Sequence, residues 1–138
     1  MGGCTMTKQI FDIEDYWKVI VYYDVDYNFF GEVTKRLRSM GASEEDMKDL
    51  YRSLSGGRVK AFTYSNTEDH VSLMVFNRHT SKEDYVNSIV HEAEHVKQAM
   101  LRAYMVDDRG EAPAYTIGYL VSCMYRVFKK VVGDYECS

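Results

Sequence analysis

Trp17-Lys18-Val19-Ile20-Val21-Tyr22-Tyr23-Asp24-Val25 is the stretch on which the fold turns. Seven of its nine residues are β-branched or aromatic, side chains that suit a pleated, packed surface better than a helix. Its two charges stand near the ends and polar residues do not alternate along it, so both faces are expected to be covered and the strand to be central. Ahead of it, residues 1–15 have no clear period and read as a loosely ordered lead-in. Behind it, Asp26 can cap a helix with Phe29 or Phe30, Val33, Leu37 and Met40 at helical spacing and Gly41 as its stop.

Ser43 then opens a second helix, with acids at 44–46 where the helix dipole favours them. Met47, Leu50, Tyr51 and Leu54 form its apolar stripe, and Gly56-Gly57 ends it. Val59–Tyr64 and Val71–Phe76 read as a hairpin joined by the polar turn 65–69. Thr80-Ser81-Lys82-Glu83 fits the reciprocal capping pattern and starts a helix whose period runs to about Tyr104. After the polar break 107–110 a last helix begins near Glu111, because Pro113 is tolerated only in a first turn, and stops at Gly133. The order β-α-α-β-β-α-α predicts a single α+β domain over 1–138: a small, mainly antiparallel three-stranded sheet packed against helices.

The 138 residues can bury a core without covalent staples. Net charge is −4, and the cluster Lys35, Arg36, Arg38 is an ordinary solvated helix face, so a nucleic-acid partner is not expected. Cys4, Cys123 and Cys137 are odd in number and far apart, which argues against a disulfide framework. Cys123 lies in an apolar helix and reads as a buried thiol. No apolar run suggests a membrane span or a signal peptide, and Met6 stands where a myristoylation motif needs Ser or Thr. A soluble cytoplasmic protein without membrane partners is therefore expected. Twelve tyrosines are many for this length; the aromatic-rich surface they imply is compatible with a homodimer.

The penultimate helix carries His91-Glu92-Ala93-Glu94-His95. Side chains four apart on a helix share a face, with Cβ atoms about 5–6 Å apart. That gap suits two imidazoles converging on one Zn²⁺. Glu92 then reaches the open side of the metal, where it could take a proton from an activated water. For this composition chance gives the pattern in roughly 1 sequence in 100, so it is informative without being decisive. The bland alternative is a polar helix face. Zinc needs a third protein ligand, and Glu111, sixteen residues after His95, returns toward the histidines if the last two helices form an antiparallel hairpin that Gly118 lets pack closely. Asp107 and Asp108 are rival ligands nearer the turn, and Glu111 could equally be an acid placed for the helix dipole. Tyr115, one turn beyond Glu111, could donate to an oxyanion or simply sit at the core margin. His70 and His79 flank the second hairpin strand and read as surface histidines.

The run HEAEH followed by EAPAY, over roughly Ser88 to Leu120, resembles the small HExxH zincin-type, gluzincin-like metallopeptidases of bacterial, phage and mobile-element genomes. The resemblance implies His91, His95 and Glu111 as zinc ligands and Glu92 as general base. Two features depart from that pattern: Glu94 and Lys97 are charged where such proteases keep uncharged residues, and Tyr115 stands where the long signature has an Asp. The function expected is a zinc-dependent hydrolase acting on a peptide or protein, laid as an added strand beside the second hairpin strand, with a partner chain completing the cleft. The alternatives are a metal-binding but inactive structural or regulatory protein, and a metal-free interaction module of a mobile element.

Overall fold

The computed structural model describes residues 6–55, 60–104 and 111–133. Its order is β1 (Thr7–Ile13), β2 (Trp17–Val25), a one-turn 3₁₀ helix (Tyr27–Phe29), α1 (Phe30–Ser39), α2 (Glu44–Leu54), β3 (Ala61–Asn66), β4 (Val71–Asn77), α3 (Lys82–Ala103) and α4 (Glu111–Gly133). The fold is α+β, as the pattern of elements predicts. The sheet, however, has four strands in the order β1-β2-β4-β3 and is mixed: β1–β2 and β3–β4 are antiparallel, while β2–β4 is parallel.

Two expectations are thereby corrected. Residues 7–13 are a strand and not a loose lead-in, pairing in register from Thr7 with Tyr23 to Ile13 with Trp17. Their alternation is muted because β1 is an edge strand whose residues are mostly half-buried or exposed. The expected three-stranded, mainly antiparallel sheet fails for a second reason. Two helices separate β2 from the hairpin, and this long crossover lets β4 lie parallel to β2.

β2 is central, and its period of two divides the molecule into layers. Trp17, Val19, Val21 and Tyr23 point into a core shared with α3 and α4. Ile20 and Tyr22 point into a second core with Val33, Leu37, Leu50 and Leu54 from α1 and α2. The strand ends in a bulge where Asp24 adopts φ 58°. There the Tyr85 hydroxyl accepts from the Asp24 N–H (3.0 Å) and donates to its carboxylate (3.1 Å), tying the first turn of α3 to the sheet.

Helix boundaries follow local chemistry. Gly41 (φ 89°) closes α1, a backbone angle that side chains with a Cβ rarely adopt. At α2 the Ser43 hydroxyl accepts from the Asp46 N–H and the Asp46 carboxylate accepts from the Ser43 N–H. Tyr51 is exposed, and Ser53 takes its expected place in the buried face of α2. α3 is capped one residue later than its sequence suggests: Ser81, not Thr80, accepts from the Asp84 N–H. Gly56-Gly57 and the break 107–110 lie outside the described residues. Among the described residues no helix is long and apolar enough to cross a membrane.

Candidate metal centre

α3 packs its Tyr85, Ile89, Ala93 and Val96 side onto the sheet and α4, which leaves the His91 and His95 side facing outward beside β3. The two imidazoles stand with ring centroids 5.0 Å apart and planes at 81°. Between this exposed stripe and the buried one is Glu92, 8% exposed. The Thr63 hydroxyl on β3 donates to Glu92 Oε1 at 2.6 Å, while Glu92 Oε2 lies 3.9 Å from His91 Nε2. One carboxylate oxygen is thus held by the sheet and the other is turned to the histidines.

Among the described residues, His91, Glu92 and His95 bring one potential ligand atom each to within 4.8 Å of one another. The two imidazoles are donors that a borderline-soft divalent ion such as Zn²⁺ accepts, with the Glu92 carboxylate close enough to act on a water held there. The side chain of His91 is 67% exposed and so can turn without disturbing the core. On both counts the donor set fits a zinc ion.

The triad opens on a cavity of about 510 Å³ whose other walls include Ala61, Thr63 and Ser65 of β3 and Asp49, Arg52 and Ser53 of α2. Gln98 and Arg102 continue the histidine stripe along α3, one and two turns further on. Asp49 is an acid at the site that sequence reading missed, since no spacing links α2 to the histidine motif. It is in contact with Arg52, which also pairs with Glu45 at 3.7 Å. β3, not the second hairpin strand, is the sheet edge beside the site; β4 is enclosed between β2 and β3.

Glu94 and Lys97 pair with each other at 2.9 Å. On the helix they stand about 100° and 160° round from His95 and do not crowd the metal side. That removes the objection their charges raise. No side chain of α4 lines the cavity among the described residues. Tyr115 is 72% exposed and lines a different cavity with Met100 and Tyr104, whose positions on α3 stand about 140° and 180° round from His95. The structure therefore does not bring Tyr115 to the histidines. Gly118 makes no close helix approach, since a Cβ there would meet nothing within 4 Å. Glu111 is the first residue of α4, but its side chain, like Asp107 and Asp108, lies outside the described ones.

The remaining histidines have other work. His70 stacks on Trp17 with centroids 5.2 Å apart. His79 is buried, contrary to its reading as a surface residue. Its Nδ1 must carry the proton, because its partner at 2.7 Å is the Asn77 carbonyl, which can only accept; Nε2 then accepts from Ser88 at 2.8 Å. Burial holds this imidazole below its ordinary pKa, against the opposing pull of the Asn77 carbonyl and Asp84. Cys123 is buried, as expected, whereas Cys4 and Cys137 lie outside the described residues.

No protein-family model, curated protein or solved structure matches the chain.

Proposed function

We propose that this chain is a zinc-dependent hydrolase of the metallopeptidase kind, with His91 and His95 as ligands and Glu92 as general base. The observation that carries the reading is the division of labour at Glu92: a buried carboxylate held at Oε1 by Thr63 and presented through Oε2 to two outward imidazoles. A carboxylate serving only to balance surface charge has no need of burial or of a fixed orientation.

A zinc ion held by this pair would polarise a carbonyl and make water a nucleophile near neutral pH. The chain's own residues do the rest. Glu92 Oε2 takes the proton of the attacking water and passes it to the departing amine, while Thr63 keeps the carboxylate from rotating away. The edge strand β3 offers its backbone to an extended peptide, which would lie across the cavity as an added strand. Glu111 is the proposed third ligand. Ala103, the last residue of α3, stands about 12 Å along the axis from His95, and a carboxylate from the start of α4 must cover that distance. Asp49 is the competing carboxylate, already on the cavity wall.

The test is Glu92→Gln in zinc-loaded protein assayed on a mixed peptide library. Zinc should be retained and hydrolysis should fall by about 10²–10⁴-fold. Wild-type protein that holds zinc and cleaves nothing would leave a structural metal site instead. Glu111→Gln and Asp49→Asn, compared by zinc affinity, identify the third ligand as the one whose loss weakens binding more than about a hundredfold.

A further inference from the structure

Four exposed tyrosines, Tyr16, Tyr104, Tyr115 and Tyr119, come from three elements to line one cavity of about 580 Å³, on the side of α3 turned away from the histidines. That volume lies within the roughly 300–1,000 Å³ of small-molecule sites. We propose that this cavity binds the alkylammonium group of an organic cation. The proposal is independent of the metal centre.

Ring placement and charge carry it. Tyr104 is held in position by edge contacts to Trp17 (6.2 Å) and His70 (5.2 Å) and by a bond from its hydroxyl to the Tyr16 carbonyl. Tyr115 and Tyr119 are one turn apart on α4 and so share a face, while Tyr16 projects from the β1–β2 turn opposite. Aromatic faces carry negative potential and attract cations, most strongly where water is excluded. Among the described residues Glu14 is the one charged residue in the lining, and it has no ion-pair partner there. Lining contributed by Ile13, Met100 and Gly118 is apolar and suits methyl groups rather than a hydrated metal ion. An anion would meet the Glu14 carboxylate, which repels it, and no cationic side chain among the described lining residues. A neutral apolar guest would gain area but leave Glu14 unused.

The test titrates choline and its neutral carbon isostere 3,3-dimethylbutanol into the full chain, following the tyrosine ring resonances. Choline should shift the four rings saturably and bind about tenfold more tightly than the isostere. Glu14→Gln should remove most of that preference without weakening the isostere. Gly118→Leu is expected to fold, since a side chain there meets open space, and should abolish binding of both probes by filling the cavity. A parallel titration with a trimethyl-lysine tripeptide separates the sources: tighter binding than choline assigns a cationic side chain of a polypeptide, and weaker binding assigns a free small cation. Equal affinity for choline and the isostere, or ring shifts unaffected by Gly118→Leu, would overturn the proposal.

Discussion

Thr63→Val removes one hydroxyl from β3 and nothing else of consequence in volume, yet it is expected to act on a residue 29 positions away. The Thr63–Glu92 bond is short, 2.6 Å, and its acceptor is a carboxylate only 8% exposed. Hydrogen bonds to charged groups contribute about 1.5–3 kcal/mol, and a buried acceptor that loses its donor keeps its full desolvation cost. Thr63→Val should therefore destabilise the protein by about that amount. Combined with Glu92→Leu in a double-mutant cycle, it should show a coupling of the same size, because once the carboxylate is gone the hydroxyl has nothing to hold. Urea unfolding followed by fluorescence suits the measurement, since the single tryptophan, Trp17, is 1% exposed in the folded chain. A coupling below about 0.5 kcal/mol would refute the reasoning: Glu92 would then be oriented by something other than β3.

Two further outcomes follow from the packing of α3. Tyr85→Phe removes both bonds to Asp24 at the β2 bulge from a fully buried side chain and should cost about 1–3 kcal/mol by the same unfolding assay, with no change at the metal centre. His79, whose pKa burial lowers from 6.5, binds a proton in the unfolded chain before it does in the folded one. Its contribution to stability is therefore fully present above about pH 6.5 and is lost as the pH falls below that value toward the folded-state pKa. Denaturation curves between pH 7.5 and 5.5 should converge for wild type and His79→Gln, and parallel curves would contradict the assignment.

Much of this molecule is readable in its chain because the relevant signals are local. The β2 run, the Ser43 cap, the Gly41 stop and the position of Pro113 each act over a few residues, and each marks an element that forms. The two imidazoles are legible for the same reason: an interval of four on one helix fixes which face they share. What escapes is non-local. β1 is recognisable only by its partner β2, and the parallel pairing of β4 with β2 depends on a crossover that no short pattern encodes. Thr63 and Asp49 reach the site from a strand and a helix whose sequences carry no trace of the histidines. The misreading of Tyr115 has a similar origin. Spacing puts it one turn beyond Glu111, but only the packing of α4 on α3 decides which side of α3 it serves.

Zinc K-edge absorption on protein purified from zinc-supplemented expression tests the central claim most directly. One zinc per chain with two imidazole nitrogens at about 2.0–2.1 Å, lost in His91→Ala and in His95→Ala but kept in Glu92→Gln, is the result expected. A shell of oxygen alone, or zinc content indifferent to both histidine substitutions, would contradict it.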